Sequence, residues 1–372
     1  MKILCDNQSN YRNFGYDICQ NKTWIICRGN GLLFVKKLKP LKFGIIGCSR
    51  IAKHSVIPAI IKSDLAELEI IGSRSTDKAK EFATEFNCEK FGTYEDVIED
   101  NSVDAVYIST PIYSHAKIAK LATKAGKHVY VEKSSAQDLV NAKEMVESAK
   151  QNNVRIMEGF MFRFHPQHQK VKDLIKDGKI GKVKSFNGVF GFPAFPQGDI
   201  RYDSGFLLDS GCYPICASRM IFDEEPVGVF CKTKTIPYSS VDAEGSVILF
   251  YENDKTATIS YANGNYYQAK YEVWGTDGVI SLDRAYSVPP NFTTKIILQY
   301  NTENNWEGRR TEIFEIEPKD HFLEIINTFC LEITGTKKAP FNFEQELLNQ
   351  AKVMIGARKS DEGREPIWFK DL

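Results

Sequence analysis

The sequence predicts an α/β protein in two parts: a doubly wound parallel sheet, then an α+β domain with a large, mostly antiparallel sheet. Two observations support this prediction. From residue 41 to about residue 160, short continuous apolar runs alternate with segments of helical length, which is typical of right-handed βαβ crossovers. After about residue 180, strand-like segments follow one another with turn residues between them, which favours antiparallel neighbours.

The composition excludes several classes of protein. The chain has 372 residues, and 48 basic side chains balance 48 acidic ones, so the basic excess that nucleic-acid or anionic-membrane binding needs is missing. The longest apolar run, near residues 247–251, is far shorter than the roughly 18 residues of a membrane span. The nine cysteines include no CxxC pair and the six histidines no HExxH motif, so we expect reduced thiols, no metal site and a cytoplasmic location.

The first 40 residues differ from the rest of the chain. They show no clear period and end in a basic stretch, residues 36–40, that is typical of a linker. We therefore treat residues 1–40 as an N-terminal extension of unknown role. It is either loosely packed or a functional appendage.

The first predicted domain spans residues 41–160. Its expected parallel strands are residues 43–47, 68–73, 105–109, 128–131 and 155–158. Its expected helices are residues 50–61, 76–86, 114–125 and 136–151. Ligands bind outside the carboxyl ends of the strands in such sheets, so this edge is where we expect a functional site.

The second predicted domain spans residues 161–372. A helix at about residues 167–176 leads into a series of strands without helices between them. These expected strands are residues 183–192, 245–251, 257–261, 268–274, 279–282, 295–300 and 311–316. Two helices, at about residues 319–334 and 343–360, close the chain.

A glycine-containing turn joins the first predicted strand to the first predicted helix. Gly47 allows a tight turn, the small Ser49 allows the backbone to approach a pyrophosphate, and Ala52 allows the helix to pack close to the sheet. The candidate cofactor-binding residues are Gly47, Cys48, Ser49, Arg50 and Ile51. Serine stands where the second glycine of a Rossmann dinucleotide-binding motif is usual, so a purely structural turn is an alternative at this point.

The end of the second predicted strand indicates which dinucleotide is bound. NAD-binding proteins place an acidic residue there for the ribose 2′-hydroxyl, but this chain has Ser73 and Arg74. Hydroxyl and guanidinium groups bind a 2′-phosphate, whereas a carboxylate repels it. We therefore predict NADP(H) as the cofactor. The alternative is that Arg74 is an ordinary solvated surface residue.

Two further segments lie at the carboxyl ends of predicted strands. The first contains Thr110, Pro111 and His115, and the second ends in Glu132 and Lys133. Together with the glycine turn, they resemble the glucose-fructose oxidoreductase, inositol dehydrogenase and rhizopine-catabolism (Gfo/Idh/MocA) family. The resemblance covers the chain after its first 40 residues, and it implies that these five residues bind the cofactor.

Within this family the chain most resembles the nucleotide-sugar 3-ketoreductases of deoxysugar pathways. The matching segments are residues 160–168, 196–202 and 207–214. Many family members have a histidine where this chain has Tyr213. The sugar ketoreductases, glucose-fructose oxidoreductase, xylose dehydrogenases and dihydrodiol dehydrogenases resemble this chain in having tyrosine there.

The chain departs from the family pattern at two places. Ser134 stands where a proline usually follows the Glu-Lys pair, and this difference could change how Lys133 is aimed. The glycine-rich run before Leu207 is reduced to Ser204 and Gly205, which shortens a loop beside the substrate.

The resemblance implies hydride transfer at Lys133 and Tyr213. Reduction of a ketone by hydride leaves negative charge on the oxygen, so the site needs a proton donor and a cation. Tyr213 supplies the proton, while Lys133 binds the same oxygen and lowers the pKa of the phenol. The substrate-binding residues implied by the resemblance are Arg163, Gln197, Arg201, Tyr202, Asp209 and Tyr213.

These features favour an NADPH-dependent reductase of a keto-sugar that is nucleotide-linked. Two alternatives stay open: an NADP-dependent aldose or dihydrodiol dehydrogenase, and a catalytically silent dinucleotide-binding protein. The second sheet leaves one face to be covered, so we expect a homodimer or homotetramer formed through the C-terminal sheet. The other expected partner is the sugar or nucleotide-sugar substrate; no nucleic acid, membrane or metal is expected.

Overall fold

The structure is a computed structural model, and it describes residues 24–29, 32–195, 204–236, 241–302 and 308–371. The chain divides into two compact units, residues 1–40 and 41–372. In the first unit, strands β1 (Trp24–Gly29) and β2 (Leu32–Lys37) pair antiparallel. This strand pair was not predicted from the sequence.

Within the described residues of the second unit, six strands form a parallel sheet in the order β5-β4-β3-β6-β7-β8. The strands are β3 (Leu41–Ile46), β4 (Ala66–Gly72), β5 (Lys90–Gly92), β6 (Ala105–Ile108), β7 (His128–Val131) and β8 (Ile156–Glu158). The order reverses between β3 and β6, the place where ligands bind in doubly wound sheets. The predicted parallel sheet is confirmed; β5 was missed because three residues carry no measurable pattern.

Helices cover both faces of this sheet, as the predicted βαβ crossovers require. They are α1 (Ile57–Lys62), α2 (Thr76–Glu85), α3 (Tyr94–Glu99), α4 (Ile112–Lys124) and α5 (Leu139–Gln151). Polar side chains begin several of them: Ser75 accepts from Lys78 N at 3.3 Å, and Asp138 accepts from Asn141 N at 2.8 Å. The short helix α3 was not predicted.

The second sheet has nine strands in the described residues, in the order β16-β15-β14-β13-β9-β12-β11-β10-β17. They are β9 (Val183–Phe192), β10 (Gly228–Thr235), β11 (Asp242–Phe250), β12 (Thr256–Asn263), β13 (Gln268–Gly275), β14 (Gly278–Leu282), β15 (Thr294–Asn301), β16 (Arg309–Ile316) and β17 (Ile367–Trp368). β9 and β12 are parallel neighbours and the other pairs are antiparallel, so the predicted, mostly antiparallel sheet is confirmed.

Helices α6 (Pro166–Lys176), α7 (Cys212–Phe222), α8 (His321–Ile333) and α9 (Phe343–Gly363) complete the fold. The prediction that no helix lies between the strands is wrong for α7, which separates β9 from β10. From Cys212 to Ile221 every residue of α7 is buried, so the helix has no polar face that a period could reveal. No helix in the described part of the chain is long and apolar enough to span a bilayer.

Candidate active site

The carboxyl ends of β3, β6 and β7 meet at one edge of the parallel sheet. Ile46 pairs with Ile108, and Ile108 with Val131, so the residues that follow these strands are neighbours. Gly47 has a φ of +108°, and a Cβ there would lie 3.1 Å from the main chain of Ser109. Glycine is therefore required at this turn, because only glycine lets the residue that follows β6 approach the turn this closely.

The turn after Gly47 leads into the first helical stretch. Ser49 Oγ accepts a hydrogen bond from Ala52 N at 3.0 Å, so serine satisfies a backbone donor at the start of this helix. The other predicted residues of the turn differ in exposure: Cys48 is buried, Ile51 is half-buried and Arg50 is exposed. Residues 47–49 thus connect the end of β3 to the helical stretch that begins at residue 50.

Ser73 and Arg74 follow the end of β4 at the same edge. Ser73 is buried and its Oγ accepts from Ser75 N at 3.3 Å, whereas Arg74 is exposed. Burial raises the pKa of the Tyr94 hydroxyl, and the positive charge of Arg74 opposes this rise. Tyr94 therefore lies close to the Arg74 guanidinium. Sequence reasoning missed Tyr94 because it lies in α3, the helix that was not predicted.

His115 joins two loops of the sheet edge. Its Nε2 lies 2.7 Å from Thr110 O and its Nδ1 lies 3.1 Å from Ser134 O. The ring is buried, which lowers the pKa of His115 to about 4, and a neutral imidazole donates to one of these carbonyls at a time. Pro111 stands between Thr110 and the first residue of α4. The predicted cofactor residues Thr110, Pro111 and His115 therefore lie together.

Lys133 directly follows Glu132 at the end of β7, and its ammonium is held by Asp209. Lys133 Nζ donates to Asp209 O at 2.7 Å and to Asp209 Oδ1 at 2.9 Å. Burial lowers the pKa of Lys133, but Asp209 and Tyr213 raise it more strongly, so the pKa lies above its ordinary value and the amine is charged. The peptide bond between Lys133 and Ser134 is cis.

Tyr213 lies in the first turn of α7, and its ring faces the Lys133 ammonium. Nζ of Lys133 lies 5.0 Å from the centre of this ring. Aromatic side chains surround the ring, with Phe190 at 5.0 Å and Phe160 at 5.7 Å between centroids. The hydroxyl lies 3.9 Å from Met161 Sδ. Burial raises the pKa of Tyr213 and Lys133 opposes this rise, so the phenol is protonated at neutral pH.

Glu132 is half-buried and directly follows β7. Its Oε1 accepts from the Tyr107 hydroxyl at 2.8 Å. Burial raises the pKa of Glu132 to about 7, and Tyr107 and Lys133 oppose this rise. The carboxyl group is thus placed to hold the end of β7, next to the predicted catalytic lysine.

Glu158 is a site residue that sequence reasoning did not single out. It ends β8, and its Oε1 accepts from Ser135 N at 2.7 Å, two residues after Lys133. Burial raises the pKa of Glu158 to about 7, while Ser135 and the nearby Arg219 and Arg163 oppose the rise. The sequence signal that could have identified it is a carboxylate at the end of a predicted parallel strand.

The remaining predicted substrate residues are only partly described. Arg163 Nη1 donates to Glu346 Oε2 at 2.6 Å, and its guanidinium carbon lies 3.8 Å from the centre of the Phe341 ring. Arg163 is thus paired with a carboxylate of α9, and its contact with a substrate stays a prediction. Gln197, Arg201 and Tyr202 lie outside the described residues.

Asp242 fixes the turn that leads to the predicted proton donor, and it too was missed. Its Oδ2 accepts from Leu207 N at 2.5 Å and from the Tyr261 hydroxyl at 3.0 Å. Gly205 fits against this carboxylate, since a Cβ there would lie 2.1 Å from Asp242 Oδ1. The shortened loop before Leu207 is therefore closed onto β11 by a charge-assisted hydrogen bond.

Comparisons with known proteins agree with this geometry. Residues 41–160 match the model of an oxidoreductase family with an NAD-binding Rossmann fold, and residues 168–281 match the Gfo/Idh/MocA C-terminal domain. The chain is 31% identical over 336 residues to dTDP-3,4-didehydro-2,6-dideoxy-alpha-D-glucose 3-reductase of Actinomadura kijaniata, covering 89% of this chain and 97% of that protein. It is 34% identical over 267 residues to the protein of that name from Saccharopolyspora spinosa, covering 70% and 80%.

A solved structure is similar over nearly the same length. It is a 3-ketoreductase from Actinomadura kijaniata in complex with NADP and TDP-benzene, with a TM-score of 0.81 and 30% identity, covering 87% of this chain and 98% of that one. The resemblance predicted from the motifs is thereby confirmed. This chain belongs to the Gfo/Idh/MocA family of NAD(P)-dependent oxidoreductases.

Proposed function

We propose that this protein is an NADPH-dependent reductase that reduces a keto group of a nucleotide-linked sugar. The observation that carries the proposal is the convergence of a charged amine and a protonated phenol, Lys133 and Tyr213, beside the edge of a dinucleotide-binding sheet. The names of the similar proteins support the substrate class, since they are reductases of a dTDP-linked keto-sugar.

The turn at residues 47–51 is proposed to hold the pyrophosphate of the cofactor. Ser73 and Arg74 would bind a 2′-phosphate, because a hydroxyl and an exposed guanidinium stand where an NAD-binding protein has a carboxylate. Thr110, Pro111, His115 and Glu132 would line the nicotinamide end. When bound, NADPH supplies the hydride that reduces the carbonyl carbon.

Tyr213 is the proposed proton donor. As the substrate carbonyl becomes an alcohol, the phenolic O–H bond breaks and the new O–H bond forms on the substrate oxygen. Lys133 donates two of its three ammonium protons to Asp209, so one is left for the same oxygen. A well-placed general acid contributes about 10² to 10⁴ in rate, and one oxyanion donor about 10² to 10³.

The sugar-binding residues stay predictions. Asp209 is proposed to orient both Lys133 and the substrate, since its carboxylate lies at the ammonium and is partly exposed. Arg163, Gln197, Arg201 and Tyr202 are assigned to the substrate by resemblance. Arg163 would first have to leave Glu346, or act through it.

The test is an assay of the purified protein with paired substrates. Oxidation of NADPH is followed with a TDP-linked 3-keto-sugar, and reduction of NADP with free aldoses and dihydrodiols. Turnover confined to the nucleotide keto-sugar supports the proposal. Turnover of free aldoses or diols indicates the dehydrogenase alternative, and tight NADPH binding without any turnover indicates a silent binding protein.

We also propose that the protein acts in deoxysugar biosynthesis in the cytoplasm. We further propose that it forms a homodimer or homotetramer. Large apolar side chains are exposed on the second sheet, among them Trp274 (51%), Ile313 (58%) and Trp368 (43%). Apolar surface of this kind favours association of copies of the chain. Light scattering at micromolar concentration tests this, and a single monomeric species would contradict it.

A further inference from the structure

The segment after β7, residues 133–135, contacts the turn before α7 at two adjacent positions. Lys133 Nζ donates to Asp209, and the hydroxyl of Ser134 donates to Leu208 O at 2.9 Å. Ser134 is 3% exposed and Leu208 is 1% exposed, so this hydrogen bond is shielded from water. Consecutive residues of the segment thus bind consecutive residues of the turn that leads to Tyr213.

The other contacts of this segment lead back to the parallel sheet. Ser134 O lies 3.1 Å from His115 Nδ1, and Ser135 N donates to Glu158 Oε1 at 2.7 Å. The main chain of the segment is therefore held by the Rossmann domain. The side chains of Lys133 and Ser134 reach across to the turn that precedes the helix of Tyr213.

The Ser134 bond depends on the residue in which this chain departs from its family. Proline, the usual residue after the Glu-Lys pair, has neither a hydroxyl nor an N–H group to donate. The hydrogen bond to Leu208 O is therefore a consequence of having serine here. With serine at this position, the Lys133 ammonium donates to Asp209.

We propose that Ser134 is a positioning residue that sets the distance between Lys133 and Tyr213. This inference rests on the proposed function, because it assigns a role in that reaction. If the bond to Leu208 is lost, the segment and the turn can separate, and the ammonium and the phenol no longer meet on one substrate oxygen. Rates of oriented reactions fall steeply with such displacements.

The kinetic test compares Ser134→Ala, Ser134→Thr and a matched control. Ser148→Ala removes a buried hydroxyl that binds Thr123 Oγ1 at 2.7 Å between α4 and α5, away from the site. We expect Ser134→Ala to lower kcat about tenfold while the KM values for NADPH and sugar change by less than about twofold. Ser134→Thr, which keeps the donor, should restore most of kcat, and Ser148→Ala should keep the wild-type kcat.

A second measurement does not depend on activity. Hydrogen exchange of peptides covering residues 128–136 and 205–213 should increase together in Ser134→Ala and stay at the wild-type level in Ser148→Ala. A wild-type kcat and unchanged exchange in Ser134→Ala would overturn the inference, as would a Ser134→Thr variant that is as slow as Ser134→Ala. If the wild type reduces no keto-sugar, the proposed function is wrong. The exchange experiment still shows whether Ser134 stabilises the contact between residues 133–135 and the turn before α7.

Discussion

The ammonium of Lys133 lies 5.0 Å from the centre of the Tyr213 ring, although Lys133 lies two residues after a strand of the parallel sheet and Tyr213 lies in the first turn of a helix of the second domain. Asp209, four residues before Tyr213, holds this ammonium with its main-chain oxygen and its carboxylate. The proposed redox site therefore combines a segment that follows a strand of the parallel sheet with the helix that follows β9.

Replacing the predicted proton donor should remove most of the turnover. In Tyr213→Phe the ring packing against Phe190 is kept but the phenolic proton is lost, so we expect kcat to fall by about 10² to 10⁴. NADPH affinity, measured by fluorescence titration, should stay unchanged. Tyr251→Phe is the matched control, since it removes a buried hydroxyl that contacts Ser218 Oγ at 2.9 Å; wild-type turnover in Tyr213→Phe would refute the assignment.

Replacing the predicted catalytic cation should act on the same step. Lys133→Met keeps the length of the side chain but removes the donor to the substrate oxygen, so we expect a loss of about 10² to 10³ in kcat. Lys127→Met is the control: Lys127 is also buried, and its Nζ donates to Asp100 O at 2.7 Å and Val103 O at 2.8 Å. We expect this control to lower the free energy of unfolding with little effect on kcat; equal kcat losses in the two variants would contradict a specific role for Lys133.

The choice of NADPH over NADH should depend on Arg74. Loss of a hydrogen bond to a charged phosphate weakens binding by about 10- to 100-fold, so Arg74→Ala should raise the KM for NADPH by that factor. The KM for NADH should not change, because NADH lacks the 2′-phosphate. The measurement with NADH is therefore the control for the measurement with NADPH. Equal changes in KM for both cofactors would show that Arg74 does not bind the 2′-phosphate.

Buried histidines should make the protein less stable in acid. His165, His168 and His321 are at most 2% exposed, and burial lowers their pKa values from 6.5 to about 4, 3 and 3. Below pH 6.5 the unfolded chain therefore binds more protons than the folded protein, and the free energy of unfolding falls as the pH decreases. At pH 5.5 each of these histidines lowers the free energy of unfolding by about 1 kcal/mol relative to neutral pH.

Two half-buried carboxyl groups change the free energy of unfolding with pH in the opposite direction. The effect of a single histidine therefore has to be measured with a variant. Burial raises the pKa of Glu132 and Glu158 from 4.5 to about 7, and stability from these groups falls as the pH rises through that window. His165→Asn removes one titration and keeps an acceptor for Gln167 N, which contacts His165 Nδ1 at 3.4 Å. Urea unfolding at pH 7.5 and 5.5 measures how much the free energy of unfolding decreases in acid. We expect this decrease to be smaller by about 1 kcal/mol in the variant than in the wild type.

The control for this experiment is His54→Asn, because His54 is exposed. If the wild type, His165→Asn and His54→Asn lose the same free energy of unfolding between the two pH values, burial of His165 does not affect acid stability.

Most of the parallel sheet could be predicted because its strands are short apolar runs between helices of regular length. The predicted strand at residues 128–131 coincides with β7 of the parallel sheet, and in the second sheet the predicted strand at residues 183–192 coincides with β9. β5 and α3 escaped because they have three and six residues, too few for a period. α7 escaped because it is buried on all sides, although it carries Tyr213.

The sequence by itself determined the family, the glycine turn at Gly47 and the residue types of the candidate site. Each of these depends on a short motif whose residues are close together in the chain. Only the tertiary structure decided which groups meet. It brought Asp209 and Leu208 to Lys133 and Ser134, added Glu158 and Asp242, and turned Arg163 towards Glu346. Such contacts join residues far apart in the chain, and their distances follow from how two sheets and their helices pack, which no local pattern records.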